Sequence, residues 1–262
     1  MKRFEFIFKT TIRFDSPITD QHFLLKCLPG NYPFQHVYDE QLVFTPSTQV
    51  CEGTDSFGNR ILWGSNPAPH DTFSFLISGK VLMSVYGSRE PSDSLYLYET
   101  PFTKPNAGIE RLAHDICADS CREKVLALSD AIYRKMLYLP SSTDETVTAS
   151  AAFDQGTGVC QDYAHIMLSA LRTMGIPARY CAGLLPGEGK SHAWVEYYDA
   201  GGWYGIDPTH NRQLDYGYIK FSHGRDWTDC RINRGCFASQ TGTVSQSIEI
   251  HAKDGEIDCK SA

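Results

Sequence analysis

Gly156-Thr157-Gly158-Val159-Cys160-Gln161-Asp162-Tyr163-Ala164-His165 is the stretch from which the fold is read. Its glycines mark a turn, and the apolar residues beyond it, Ala164, Met167, Leu168, Leu171 and Met174, recur at helical spacing until Gly175 and Pro177 supply a stop. Cys160 therefore falls in the first turn of a helix. Unpaired backbone N–H groups and the positive end of the helix dipole lie there, and both favour thiolate over thiol. Cys160 shares a face with Ala164, Leu168 and Leu171, so it points at packed protein. Taken alone, the stretch favours a small buried core cysteine.

The next residues change that balance. Ser191-His192-Ala193-Trp194-Val195-Glu196-Tyr197-Tyr198 alternates as a strand does, Asp199-Ala200-Gly201-Gly202 is a turn signal, and Trp203-Tyr204-Gly205-Ile206-Asp207-Pro208 is a second strand closed by proline. A four-residue loop, Tyr198 to Gly201, places His192 directly opposite Asp207; a two-residue loop makes them diagonal neighbours. Both put the two on one face, because strand side chains alternate with period two, whereas an odd-length loop separates them. A helix-borne cysteine, a strand histidine and a carboxylate on the adjacent strand are the parts of a nucleophile, its base and the group that orients the base. Read singly, His192 is an ordinary strand histidine and Asp207 a turn residue before Pro208; their order and parity favour the joint reading.

The pattern resembles the transglutaminase-like superfamily of papain-fold cysteine enzymes, in its bacterial branch. The resemblance is carried by Gly-Val-Cys-Gln-Asp-Tyr-Ala-His at 158–165, Gly-Ile-Pro-Ala-Arg-Tyr at 175–180, Ser-His-Ala-Trp-Val-Glu at 191–196 and Gly-Ile-Asp-Pro-Thr at 205–209. It is close over residues 108–222 and extends over most of the chain. It implies a catalytic triad of Cys160, His192 and Asp207. It also implies an oxyanion hole whose first donor is the Cys160 backbone N–H, with Gln155 as candidate for the second, since papain relatives keep a glutamine shortly before the cysteine. Asp55-Ser56-Phe57-Gly58-Asn59 and Gly224-Arg225-Asp226-Trp227-Thr228-Asp229 resemble further segments of the bacterial members; the turn chemistry of the first explains all its residues without a catalytic role.

Outside that region the N-terminal hundred residues are strand-rich. Phe4, Phe6 and Phe8, then Thr11 to Phe14, Phe23 to Cys27, Gln41 to Phe44, Phe73 to Ile77 and Val81 to Tyr86 read as strands, separated by turn signals at Pro29-Gly30-Asn31, Ser56 to Asn59 and Ser78-Gly79-Lys80. Helical stripes follow a proline-bearing linker between Tyr98 and Gly108, and Tyr216 to Phe221 and Val244 to His251 read as late strands. The fold class expected is α+β: an N-terminal antiparallel β-sandwich over 1–100, then a transglutaminase/papain-like core over 108–262.

The 262 residues carry a net charge of −7 with scattered Lys and Arg, which gives no basic field for nucleic acid or an anionic membrane. No apolar run is long enough for a membrane span. The start alternates instead of forming an apolar leader, so a cytoplasmic location is expected, although a chain whose leader had been removed would read the same. Nine cysteines, an odd number, fit a compartment that keeps thiols reduced. His114, Cys117 and Cys121 share a helix face without a second cluster at zinc-site spacing, and no acidic loop resembles a calcium site, so neither metal nor cofactor is expected.

The expected reaction is acyl transfer on peptide or isopeptide amides of a peptide or protein substrate. Water resolving the thioester makes the enzyme a peptidase or amidase, an amine makes it a crosslinking transglutaminase, and a silent member would serve as a peptide-binding domain. A two-domain chain without extra modules inclines this toward hydrolysis. His165 and His210 are set aside as structural.

Overall fold

The computed structural model describes residues 1–140, 142–144, 146–187 and 190–238, together with the backbone of 244–255. The chain is α+β, and its front part is built on one strand, β1 (Lys2–Leu25). Alternation of Phe4, Phe6, Phe8, Ile12 and Phe14 continues past the expected breaks, so the separate short strands read from the sequence are a single strand of 24 residues. Its register breaks between Arg13 and Ile18, around Pro17. Before the break β1 pairs with β5 (His70–Met83), which carries β2 (Gln35–Thr45) on its far side; after it β1 pairs with β4 (Arg60–Asn66), which carries β3 (Val50–Thr54). The two halves face each other as a sandwich, with Phe23 of one half packing on Phe73 of the other at 4.8 Å between ring centroids. The expected turn at Ser78-Gly79-Lys80 lies inside β5 instead. Gly79 sits opposite Phe6, and a Cβ there would come within 3.1 Å of the Phe6 ring, so the glycine makes room and does not turn the chain.

The core part contains the helices α1 (Ala107–Asp115), α2 (Cys121–Lys135), α3 (Ala149–Gln155) and α4 (Cys160–Thr173), the last capped off by Met174 and Gly175. Two short parallel strands, β6 (Leu137–Tyr138) and β7 (Thr157–Gly158), lie between them in sequence. The antiparallel sheet runs β11-β10-β9-β8-β12, built from β8 (Ala178–Leu184), β9 (His192–Asp199), β10 (Gly202–Asp207), β11 (Arg212–Gln213) and β12 (Ile219–Gly224). Ala178, Tyr180, Ala182, Ala193, Val195 and Ile206 pack on the helices, while Cys181, Leu184, Trp194, Ile219 and Phe221 join the core of the front sandwich. Both faces of this sheet are covered, which is why every residue of β8 is buried. The last strands, β13 (Asn233–Ala238) and β14 (Val244–Gly255), pair with β1, so residues grouped by the sequence with the 108–262 unit add to the front sheets. No helix among the described residues is long and apolar enough to cross a membrane.

Strand β12 would be an exposed edge of the core sheet, and two carboxamides of the front sandwich close it. Gln35 donates to the Lys220 carbonyl at 2.9 Å and accepts from the Lys220 N–H at 2.8 Å. Asn59 does the same to His223, at 2.8 Å in each direction. Asn59 belongs to the Asp55–Asn59 hairpin tip, where Asp55 accepts from the Phe57 and Asn59 N–H groups and from Lys26 Nζ at 2.6 Å. Lys26 also reaches the Asp229 carbonyl. The two segments that resembled family motifs thus meet as a docking contact between the two parts of the chain.

Replacing Asn59 by Ala strips both partners from the buried His223 backbone. We expect a loss of about 2–6 kcal/mol of stability, from two unsatisfied groups at roughly 1–3 kcal/mol each. A urea midpoint unchanged by Asn59→Ala contradicts this account.

Candidate active site

The turn that carries Cys160 is fixed from both sides. Helix α3 ends on Gly156, whose φ of 73° is a left-handed cap that a Cβ would strain. Leu137 and Leu139 of the neighbouring segment then donate to the Gly156 and Gly158 carbonyls, at 2.9 and 3.1 Å. Val159 is the N-cap of α4, and having no side-chain oxygen it supplies only half of a capping box. The other half is present: Asp162 accepts from the Val159 N–H at 2.8 Å and from the Thr143 hydroxyl at 2.6 Å. Gly158 is required here, because a Cβ would lie 2.7 Å from the Asp162 side chain. Burial raises the Asp162 carboxyl above its usual value despite these bonds.

Strands β9 and β10 are joined by Ala200 and Gly201 alone, with φ of 46° and 83°. This is the twisted two-residue loop that suits a hairpin. Pairing runs from Gly202 opposite Asp199 to Ile206 opposite Val195, so of the two loops read from the sequence the shorter one forms and His192 and Asp207 are diagonal neighbours on one face. Asp207 is fully buried and His192 is 4 % exposed. His192 Nε2–H donates to Asp207 Oδ2 at 2.8 Å. The direction follows from chemistry, since an ionised carboxylate only accepts. That leaves Nδ1 as the nitrogen free of Asp207, and the Cys160 thiol is near enough to act on the imidazole electrostatically.

Asp207 has further donors. His210 Nδ1–H and the Tyr218 hydroxyl reach Oδ2, each at 2.7 Å, and the Thr209 and His210 backbone N–H groups reach Oδ1 at 2.9 and 3.3 Å. Arg212 in turn donates to the Tyr218 oxygen at 2.7 Å. Burial would raise the Asp207 carboxyl, but the hydrogen bonds from His192 and His210, the His192 charge and the Tyr218 bond together hold it well below the usual carboxylate range. Burial likewise would lower His192; the Asp207 hydrogen bond and the bond and charge of Cys160 outweigh it and push the imidazole up to about 10.

His210, set aside as structural from the sequence, is one of the donors that hold the Asp207 carboxylate. The signal was available: an aspartate followed by proline and two further residues turns back so that residues two and three positions on can donate to its carboxylate. Tyr218 gave no such signal, since only sheet packing brings β12's approach to Asp207. His165 is buried away from this network and accepts from the Trp227 N–H at 3.3 Å; burial lowers it to about 4. Gln155, the candidate second oxyanion donor, is exposed and its amide donates to Thr157 Oγ1 at 2.8 Å. Ligand atoms of His192, Asp207 and His210 lie within 4.8 Å of one another, a spacing a transition-metal ion could use, but hydrogen bonds among them already engage these atoms. Cys117 is exposed and Cys121 half-buried, its thiol raised by burial to about 11.

A helix-borne thiol against a strand imidazole at the end of an antiparallel sheet is the arrangement of papain-like cysteine enzymes. Residues 110–208 match the Transglutaminase-like superfamily and residues 4–82 match the Bacterial transglutaminase-like N-terminal region. The chain belongs to the transglutaminase-like superfamily, as a member carrying that bacterial N-terminal region. An uncharacterized protein of Mycobacterium leprae is 28% identical over 271 residues, covering 93% of this chain and 96% of the other. A protein-glutamine gamma-glutamyltransferase of Pseudomonas aeruginosa is 37% identical over 84 residues, 27% of this chain and 13% of that protein. A solved structure from Cytophaga hutchinsonii, proposed to be a cysteine protease, superposes with a TM-score of 0.82 at 23% identity, covering 98% of this chain and 92% of that one; it shows the same fold.

A raised histidine pKa stabilises the fold below the unfolded value of 6.5, and that contribution is lost as pH climbs toward about 10. Asp207→Asn removes the carboxylate responsible, so the His192 ring should titrate at markedly lower pH. NMR of labelled histidine reads this directly, and a His192 titration indifferent to Asp207→Asn refutes the assigned cause.

Proposed function

We propose that Cys160, His192 and Asp207 form a catalytic triad for acyl transfer on peptide or isopeptide amides, with hydrolysis as the outcome. The observation that carries this reading is the position of the His192 ring, bonded at 2.8 Å to the buried Asp207 carboxylate and within electrostatic reach of the Cys160 thiol. His192 takes the thiol proton, and the imidazolium is stabilised by Asp207. The Cys160 sulfur attacks the amide carbonyl; the C–S bond forms and the carbonyl electrons move to oxygen. The N–H of Cys160, at the start of α4, is the oxyanion donor we assign, and the orientation of Gln155 toward Thr157 leaves the second donor open. As the tetrahedral species collapses the C–N bond breaks and His192 gives its proton to the leaving amine. Water then attacks the thioester, His192 accepts its proton, and a carboxylic acid departs as the thiol is restored.

Water access supports hydrolysis. His192 is itself only 4 % exposed but borders a cavity whose walls include His210, 36% exposed at the side chain, and Tyr133, 49% exposed, so water enters the space beside it. Transamidation asks for the reverse, a site closed to water so that an amine wins. The similarity to a protein-glutamine gamma-glutamyltransferase keeps amine transfer as the second reading. The eight described cysteines are all free thiols, and on that ground we place the protein in the reducing cytoplasm.

Cys160→Ala should abolish turnover and His192→Ala should reduce kcat by roughly a thousandfold, both with unchanged circular dichroism. The decisive measurement incubates the protein with a glutamine-containing peptide library, with and without a labelled primary amine. Fragment or ammonia release without label incorporation is the result expected. Label incorporation at glutamine establishes the second reading, and no product of either kind leaves a peptide-binding role.

A further inference from the structure

The cavity beside His192 has a composition that selects among substrates. It measures about 480 Å³. Tyr133 and Met136 near the end of α2, Tyr138 of β6 and Tyr163 of α4 form one wall, and His192 and His210 form the other. No carboxylate, ammonium or guanidinium lines it among the described residues. The Tyr138 and Tyr163 rings lie 6.4 Å apart between centroids. Polar capacity in this wall is confined to neutral hydroxyls.

A second observation concerns the rim of the same cavity. Tyr133, Leu137, Tyr138 and Leu139 are 49, 63, 46 and 47 % exposed, all within seven residues of sequence. Large apolar side chains scattered singly over a surface need no explanation, but a contiguous group beside a reactive centre marks a surface that meets a partner. These residues are also held in register with the nucleophile. Tyr138 pairs with Gly158, two residues before Cys160, and the N–H groups of Leu137 and Leu139 bond the carbonyls of Gly156 and Gly158. In a thioester mechanism the acyl part of the substrate stays on the cysteine while the amine leaves. The wall stitched to the cysteine's own turn is the one we assign to that retained side.

We propose that this cavity is the subsite for the substrate residue on the acyl side of the attacked carbonyl, and that it selects a bulky aromatic or aliphatic, uncharged side chain. The substrate class is thus a polypeptide cut or acylated next to such a residue. The proposal rests on the reading of Cys160 as nucleophile and deepens it. Aromatic walls bury a ring or long aliphatic chain well; a cationic side chain would lose its hydration with no counter-charge to meet it, and an anionic one would find only the His192 imidazolium, which Asp207 already engages.

The test uses the full chain and four peptidyl acyloxymethyl ketones, alike except that the residue next to the ketone is Phe, Ala, Asp or Lys. Alkylation of Cys160 is followed by mass spectrometry, with iodoacetamide as the small reagent for normalisation. The Phe probe should react at least about tenfold faster than the Ala probe, as expected for filling an apolar pocket, and faster still than the Asp and Lys probes. In the Tyr133→Ala/Tyr138→Ala double variant the normalised Phe-to-Ala ratio should fall toward one. Leu137→Asp should weaken the Phe preference and improve the Lys probe. Equal rates for all four probes at an alkylated Cys160 overturn the proposal alone, as does a Lys or Asp probe that reacts fastest with the wild-type chain. A Phe preference that survives in the double variant overturns the assignment to this cavity. Failure of every reagent, iodoacetamide included, to single out Cys160 overturns the nucleophile reading together with the subsite.

Discussion

The buried carboxylate of Asp207 is the constraint on which the site depends. A charge removed from water is tolerated only when its lone pairs are met, and here His192, His210 and Tyr218 meet Oδ2 while two backbone N–H groups meet Oδ1. Each donor comes at a structural cost that the fold has to absorb. The turn after β10 must be tight enough to bring Thr209 and His210 back, β9 must be diagonal to β10, and the chain before β12 must cross beneath both. The same bonds that satisfy the charge set the tautomer of His192. Orientation of this imidazole and solvation of a buried anion are thus one event.

The front sandwich contributes in the same way, through satisfied polar groups at an otherwise apolar contact. Glu196 is buried on the front face of the core sheet, bonded to Arg179, to Lys220 and to the hydroxyl of Tyr86, and its carboxyl is held far below the usual range: burial opposes this, and the charges of Arg179 and Lys220 outweigh it. Arg179 lies across the ring of Trp203 at 4.2 Å, and Lys220 over that of Tyr32 at 4.5 Å. Such a cluster adds little net stability compared with apolar packing, but it is expensive to break and admits only one registration of the two layers. The carboxamides of Gln35 and Asn59 closing the edge of β12 act to the same end. Segment 223–229, gripped by the front hairpin, also holds α4, through the bond from Arg172 to the Arg225 carbonyl and the contact of Trp227 with His165. Front sandwich and nucleophile helix are therefore mechanically linked without any front residue entering the site.

Much of this was legible in the residues. The glycine turn, the helix after Cys160 and the parity of His192 with Asp207 follow from local rules: a stripe of period 3.6, an alternation of period 2, and an even loop. Where reading failed, a local rule had two physical causes. Gly79 looked like a turn because glycine permits one, yet it is small because Phe6 lies opposite. The runs within β1 read as separate strands, yet the register shift between Arg13 and Ile18 is accommodated without ending the strand. Asn59 looked like a hairpin tip and is one, but its side chain also serves a partner 164 residues away.

By itself the sequence determined the helix after Cys160, the family resemblance and the shared face of His192 and Asp207, because those depend on spacing along the chain. Tertiary structure decided the rest: which even loop joins β9 to β10, that His210 and Tyr218 share Asp207's carboxylate, that Gln155 turns to Thr157, and that the last strands return to β1. The reason is that hydrogen bonds and burial act through distance in space, and pairs such as Asn59 with His223, or β1 with β14, are brought together only when all the intervening packing is already in place.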